Sequence, residues 1–321
     1  MPFHILYTMT HLLILLAGIL SLLLAQASHA QSKITLNKAD DVVLVGSGMG
    51  SRMIHYGHFE TEIFLRHITH DLTIRNLCDE GNTPGFRPHP SREQEEQYAF
   101  PGAKDLIHED LKAQSKPKGH FPSPSQWLSD LHAEVVLCFF GFNSSFDGPA
   151  QVGRFKKELD AYLKHLNSMP FGVSTPQVAL LSPTAVEAIP GVTDGRRQNR
   201  NLSLYVEAMK QTAQANKVLF VDCFTPSQKW YEDGKRHSVD GALYNDYGYR
   251  KLAKFLSDSI FTASKPKDSV RTSVHKAVMD KNYFWLNDYK IPNGVHVYGR
   301  RYNPYGPQNY PFEIEKTREY T

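Results

Sequence analysis

Short β-rich runs alternate with helical patterns along most of this sequence, and that alternation constrains its fold more than any other feature. The run 41–45 is almost wholly apolar and ends at Gly46, which is typical of a strand buried on both faces. Further strands are predicted at 72–77, 134–140, 177–181 and 218–222. Apolar residues at helical spacing lie between and after them, over 58–70, 155–166, 202–215 and 247–260. The pattern predicts the α/β class, with a parallel five-stranded sheet covered by helices on both faces in three layers.

In open parallel sheets, ligands bind beyond the carboxyl ends of the strands. The residues of functional interest are therefore those that directly follow each predicted strand, after Val45, Leu77, Phe140, Leu181 and Asp222.

The N-terminus differs in kind from the rest of the chain. Residues 12–25 form an apolar run broken only by Gly18 and Ser21, and small residues follow as far as Ala30. This pattern predicts a signal peptide over 1–30, cleavage near Ala30, and a secreted or periplasmic protein. The run is short for a membrane span, which needs ~20 apolar residues. Because no Lys or Arg precedes it, an uncleaved anchor is the alternative.

Charge and cysteine content exclude several classes of partner. The 36 basic and 33 acidic residues are spread along the chain without a basic block, so no nucleic-acid partner is expected. No membrane association is expected once the signal is removed. The three cysteines form neither a disulfide framework nor a zinc or haem-attachment motif, so no metal and no cofactor is predicted. The expected partner is a small-molecule or carbohydrate ligand, and the sequence predicts no particular oligomeric state.

Four short segments stand where this fold places chemistry: 46–48, 76–83, 141–143 and 240–249. In order and spacing they resemble the four blocks of the SGNH/GDSL hydrolase superfamily, and the resemblance covers about 41–260. It implies a flavodoxin-like SGNH fold and the hydrolysis of ester bonds.

The resemblance also assigns roles to individual positions. Gly81 and Asn143 match the two donors of the oxyanion hole, which stabilise developing negative charge. Asp240 matches the aspartate that orients the catalytic histidine. Gly48, however, occupies the nucleophile position, and Leu243 occupies the position of the histidine base.

These two replacements decide which chemistry remains open. Glycine offers no nucleophile and leucine accepts no proton, so ordinary serine esterase chemistry is not supported. One hypothesis is a hydrolase acting on an acylated carbohydrate, with a base from elsewhere, such as Asp240 working through water. The alternative is a non-catalytic, carbohydrate-binding pseudoenzyme, and a purely structural domain is a third interpretation.

Other side chains are candidates for ligand contact. Arg52 follows the first block and could clamp an anion or simply begin a solvated helix. Arg87 and His89 lie on the long segment 78–125, and Ser144 replaces the aspartate that follows the family's asparagine. The histidines are expected to be surface or packing residues rather than bases, and those considered are His55, His58, His89 and His237.

A closer resemblance rests on residues 81–92, 141–148 and 280–289. These segments are similar to the SGNH-like N-terminal region of large exported haem-domain proteins of Planctomycetes, Verrucomicrobia and Bacteroidetes. The expected organisation is a hydrolase-like domain over 31–264, followed at 265–321 by a helix and an extended aromatic tail. The tail, around 295–310, is interpreted as a strap packed on the domain, with sugar stacking as its alternative role.

Overall fold

The computed structural model describes residues 32–89, 94, 96–112, 121–262 and 264–290. Its single sheet, in the described ranges, has strands β1 (Asp41–Gly46), β2 (Thr73–Asn76), β3 (Val135–Phe139), β4 (Gln177–Leu181) and β5 (Leu219–Val221). All paired strands are parallel and lie in the order β2-β1-β3-β4-β5. The predicted α/β class and five-stranded parallel sheet are therefore confirmed.

The helices among the described residues are α1 (Gly48–Arg52), α2 (His58–Arg66), α3 (Glu109–Lys112), α4 (Pro124–Asp130), α5 (Val152–Ser168), α6 (Arg196–Asn216), α7 (Phe224–Trp230), α8 (Asp246–Ile260) and α9 (Arg271–Trp285). A π-helical turn, Leu286–Lys290, continues α9. Short 3₁₀ turns occupy Met53–His55, Ala103–Asp105, Asn143–Asp147, Pro149–Gln151, Tyr231–Asp233 and Asp268–Val270. None of the helices in the described ranges is long and apolar enough to cross a membrane.

Burial on both faces explains the apolar run of β1. Val43 and Val45 point into the core shared with α5 and α6, whereas Val42 and Leu44 point into the core shared with α2 and α8. None of the four is more than 1% exposed. Successive strand residues point to opposite faces, so a strand covered by helices on both sides needs apolar residues throughout.

The helix boundaries differ most at α6. Apolar periodicity predicts a start at 202, but the helix begins at Arg196, six residues earlier. Residues 196–201 are all polar (Arg-Arg-Gln-Asn-Arg-Asn), so this part of the helix carries no apolar face from which its start could be read. Fully buried residues, such as Leu202 and Tyr205, mark in the sequence only the part of the helix that is packed in the core.

Helix α9 covers the outer edge of the sheet at β2. The Trp285 indole donates to the carbonyl of Asn76 (2.8 Å), and Lys281 Nζ donates to the carbonyl of Ile74 (3.1 Å). Lys281 also pairs with the buried Glu60 of α2 at 2.6 Å. The edge strand thus gains side-chain partners for two of its carbonyls, which reduces its tendency to pair with another chain.

The segment around α9 packs on the predicted hydrolase-like domain and shares its core. Trp285 is 2% exposed and stacks on Tyr289, with ring centroids 5.6 Å apart. The predicted signal peptide, 1–30, and the tail, 295–310, lie outside the described residues.

We predict that Trp285→Ala destabilises the fold by about 4 kcal/mol, because it empties a large buried site and leaves the Asn76 carbonyl without its donor. Tyr283→Ala is the matched control: Tyr283 lies on the same helix and is 65% exposed, so its removal should change stability by less than about 0.5 kcal/mol. Urea unfolding of the two variants measures the difference, and equal effects would contradict this account of the edge.

Candidate functional site

The segments that follow β1, β2 and β3 meet at one end of the sheet. Asp79 N–H donates to the carbonyl of Gly46 (2.9 Å), and Ser47 N–H donates to the carbonyl of Phe139 (2.8 Å). The Asn82 side chain donates to the Gly46 carbonyl as well (3.2 Å). Parallel pairing therefore brings the first three sequence blocks together, and the fourth joins them through Leu243.

Gly48 and Leu243, which occupy the nucleophile and base positions of the resemblance, lie side by side. A Cβ placed on Gly48 would be 3.8 Å from Leu243 Cδ2 and 3.9 Å from Glu80 Cγ. The backbone of Gly48 is outside the left-handed region, so a side chain there would meet neither strain nor a clash. We call Gly48, Glu80, Gly81, Asn143 and Leu243 the strand-end site.

Asn143 forms a hydrogen bond with Asn82, the residue that follows Gly81 in the sequence. Asn143 begins the 3₁₀ turn after β3, and its Nδ2 donates to the backbone carbonyl of Asn82 at 3.2 Å. Gly81 is exposed with φ 84°, and no atom lies within 4 Å of a Cβ built on it. The two groups matched to oxyanion donors are thus held on neighbouring segments, and the Gly81 side is open.

Asp240 serves the turn in which it lies. Its Oδ1 accepts hydrogen bonds from the backbone N–H groups of Ala242 (2.9 Å) and Leu243 (2.7 Å). The residue is exposed, and this is the ordinary way in which an aspartate stabilises a turn. Asp240 therefore fixes the backbone of Leu243. It has no imidazole ring to orient, because leucine stands at the position that the resemblance matches to a histidine.

Glu80 of the strand-end site has a second carboxylate, Asp79, and a lysine, Lys290, as charged neighbours. Lys290 Nζ lies 2.7 Å from Asp79 Oδ1, 2.9 Å from Ser51 Oγ and 3.8 Å from Glu80 Oε2. Burial raises the pKa of Asp79, against the effect of Lys290. Partial burial opposes ionisation of Glu80 too, but Lys290 and local hydrogen bonds lower its pKa overall. Glu80, whose side chain is 61% exposed, is the ionised carboxylate of the strand-end site.

Arg52 lies beside this charged group. Its Nη2 donates to the hydroxyl of Tyr56 at 3.3 Å, and its side chain is half-buried. Partial desolvation, together with the charges of Arg52 and Lys290, lowers the pKa of the nearby His55. The cationic clamp predicted at Arg52 remains a prediction, and His55 is a neutral neighbour at physiological pH.

Three side chains predicted to contact a ligand are buried. The Arg87 guanidinium is 4.8 Å from the centre of the Tyr162 ring, and the residue is 6% exposed. His89 packs against Phe121 with ring centroids 4.4 Å apart and is 5% exposed. Ser144 is equally buried, at 5%. Arg87 and His89, on the described part of the segment 78–125, point inward and support the core.

The other histidines considered as bases are engaged elsewhere. His237 is fully buried, with Nδ1 2.9 Å from the carbonyl of Lys235 and Nε2 3.3 Å from Asp233. His58 pairs with Asp246 at 2.7 Å. The described residues include no cluster of three or more His, Cys, Asp or Glu suited to a metal ion. A groove of about 470 Å³ beside β2, lined partly by Arg75 and Lys281, contains none of the strand-end residues.

Comparison with solved structures identifies the fold. A protein assigned as a GDSL-like lipase, from Parabacteroides merdae, superposes with a TM-score of 0.51 over 71% of this chain and 99% of its own, at 12% identity. The chain has the fold of the GDSL-like hydrolases. No protein-family model matches the sequence, and no curated protein is significantly similar to it.

Two further structures are similar at lower TM-scores. A catalytic mutant of an acetylxylan esterase from Geobacillus stearothermophilus gives 0.49 at 12% identity, covering 71% of this chain and 96% of its own. A gut microbial diltiazem-metabolizing enzyme gives 0.47 at 14% identity over 72% of this chain. The chain spans about half the length of that enzyme, 48%.

Sequence reasoning missed a buried carboxylate that shapes the fourth block of this GDSL-like fold. Glu187, 6% exposed, accepts hydrogen bonds from the backbone N–H groups of His237 (3.1 Å) and Ser238 (2.8 Å) and from Ser238 Oγ (2.5 Å). Its own N–H donates to the carbonyl of Gly241 at 2.8 Å. Glu187 therefore holds the loop that brings Leu243 to Gly48. No local motif marks it, because its partners lie about 50 residues away.

We predict that Glu187→Ala destabilises the protein by about 3 kcal/mol, since it leaves buried backbone N–H groups without an acceptor. Amide hydrogen exchange over 237–243 should accelerate more than exchange in β1. Glu207→Ala, at an exposed position on α6, is the control and should be nearly neutral. Unchanged exchange in the loop of a folded Glu187→Ala protein would contradict the positioning role.

Proposed function

We propose that this chain is an exported, hydrolase-like protein whose strand-end site binds a carbohydrate ligand without serine-based ester hydrolysis. The observation that carries the proposal is the contact between Gly48 and Leu243, 3.8 Å from a Cβ on the glycine to the leucine methyl. An ester hydrolase of this fold needs a nucleophile and a base at these two positions. This chain has Gly48, which has no side chain, and Leu243, whose side chain is apolar. Export is proposed from the apolar run 12–25 alone.

Hydrogen-bonding groups at the same place support a binding role. The side-chain amide of Asn143 has two N–H groups, and its bond to the Asn82 carbonyl uses one of them. The open Gly81 segment and the ionised Glu80 add a backbone donor and a charged acceptor. Such a mixture of donors and acceptors suits the hydroxyl and acyl oxygens of a decorated sugar better than a purely apolar molecule.

One observation favours a second candidate, ester hydrolysis by an activated water. Glu80 Cγ is 3.9 Å from the place of a side chain at Gly48, so its carboxylate borders the nucleophile position. In that reaction Glu80 takes a proton from water as the water oxygen attacks the ester carbonyl. The carbon–oxygen bond then breaks, and the leaving alkoxide recovers the proton from Glu80. The low pKa of Glu80 makes it a weak base, which favours binding over hydrolysis.

Binding and acetate release by wild-type protein separate the two candidates. The probes are xylohexaose, cellohexaose and mannohexaose, each with and without acetyl groups. We predict calorimetric binding of at least one of them with no acetate release above buffer. Asn143→Ala should weaken that binding about fivefold, the effect of losing one hydrogen bond. Asn167→Ala, at the far end of α5, is the matched control.

Two results would overturn the binding proposal. Acetate release that disappears in Glu80→Gln would establish the hydrolytic candidate instead. Failure of every probe to bind the folded wild-type protein would remove the carbohydrate assignment.

A rebuilt triad tests the two positions directly. We predict that Gly48→Ser with Leu243→His hydrolyses an activated aryl ester faster than either single variant, by at least about tenfold, because triad members act as a unit. The Gly48 backbone accepts a side chain, and Asp240 is three residues before the new histidine. Melting curves must first establish that the double variant is folded. A folded double variant no faster than the single ones would contradict the assignment of these positions.

A further inference from the structure

An exposed phenyl ring stands on the same short turn as Asn143. Phe146 is 63% exposed, whereas most aromatic side chains around the sheet are buried. It belongs to the 3₁₀ turn Asn143–Asp147, which follows β3 and carries the third sequence block. An isolated apolar residue on a surface needs no explanation by itself, so its meaning depends on what lies next to it.

The 3₁₀ geometry of the turn relates the Phe146 ring to the Asn143 amide. A 3₁₀ helix has three residues per turn, so side chains at positions i and i+3 are eclipsed. Asn143 and Phe146 are three residues apart in this turn, so ideal 3₁₀ geometry places their Cβ atoms on the same side of it. The turn therefore carries both a hydrogen-bonding amide of the strand-end site and an exposed aromatic ring.

The ring is held in place by its neighbours. Phe142 meets it edge-to-face, with ring centroids 5.4 Å apart and planes at 79°. Ser145 Oγ donates to the carbonyl of Phe142 (2.6 Å) and accepts from Gln198 of α6 (2.6 Å), which ties the turn to the helix. At the end of the turn, Asp147 forms an ion pair with Arg154 of α5. A ring fixed before binding loses little conformational entropy when a ligand packs on it.

Polar surroundings distinguish this ring from a docking surface for a protein or a lipid. Its one ring contact among the described residues is with the partly buried Phe142, and Asp147, the next residue, is ion-paired with Arg154, so the apolar area is about two rings wide and ends at a charged pair. Protein and membrane contacts usually need a contiguous apolar patch of several hundred Å². A pyranose fits better, because its C–H face packs on an aromatic ring while its hydroxyls reach polar groups at the rim.

We propose that Phe146 is a specificity-determining residue that stacks on a pyranose ring whose hydroxyl or acyl oxygen is bound by Asn143. The inference rests on the carbohydrate-binding function proposed above and makes it more specific. It requires a six-membered sugar ring with an exposed C–H face, and it assigns recognition to the turn Asn143–Asp147 that follows β3.

Three variants test the proposal with the acetylated and plain hexasaccharides. Phe146→Ala should weaken binding at least about tenfold in calorimetry, whereas Phe146→Trp should keep it within about threefold, since the larger ring also stacks. Tyr283→Ala, which removes an equally exposed aromatic ring from α9, should leave binding unchanged. Melting curves accompany each variant.

Proton NMR of the bound sugar gives a readout that a structural role would not move. Stacking shifts the sugar C–H resonances upfield through the ring current, and these shifts should vanish in Phe146→Ala. If Phe146→Ala binds as tightly as wild type while Asn143→Ala binds weakly, stacking is overturned and the carbohydrate site stands. If the wild-type protein binds none of the hexasaccharides, the proposed function fails and the inference with it. Weakened binding by Tyr283→Ala of the same size would also overturn the assignment to Phe146.

Discussion

Parallel pairing of β1 with both β2 and β3 is the constraint on which the rest of the structure depends. Parallel strands all end at the same edge, so the segments that follow them must meet there. The central strands β1 and β3 are buried between helices and are apolar along most of their length, which leaves polar residues to their ends. Asn143, Gly81 and Gly48 come from distant parts of the chain and share a site for this reason alone.

The edge strand β2 introduces a problem that α9 resolves. An uncovered edge would expose backbone carbonyls, and Trp285 and Lys281 donate to two of them. Once α9 is fixed there, the π-helical turn at its end carries Lys290 to Asp79 and Ser51, at 2.7 and 2.9 Å. A requirement of the fold at one side of the sheet therefore sets the electrostatics of the site at its end.

The sequence predicts the sheet well because period and burial are local properties of each strand. It predicts the meeting of Gly48, Gly81, Asn143 and Leu243 through their order in a known pattern of blocks. It fails for Arg87 and His89, since hydrophilic composition suggests an exposed loop although both side chains are 6% exposed or less. Lys290 is about 210 residues from Asp79 and Glu187 is 50 from His237, so no local pattern could have found either.

Sequence-based prediction also fails for residues whose presence two different roles explain equally well. Asp240 before a glycine is good turn chemistry, and in the structure its carboxylate caps the turn that bears Leu243. The sequence alone cannot separate that role from the orientation of a catalytic histidine, because both use the same residue at the same position. Only the hydrogen-bond partners distinguish them.

The same reasoning applies to every position at which this chain matches the resemblance. Gly81 has φ 84°, a conformation that favours glycine whatever the site does. Asn143 ties its turn to the Asn82 carbonyl, and Asp240 stabilises its own turn. Each of these residues thus stabilises the local backbone, whereas Gly48 and Leu243 stand at the positions that the resemblance matches to a nucleophile and a base. Residues that match oxyanion donors are therefore weak support for catalysis in this chain. Phe146 is different: a ring that is 63% exposed contributes little to the core, and the role proposed for it is in binding, on the turn that begins at Asn143.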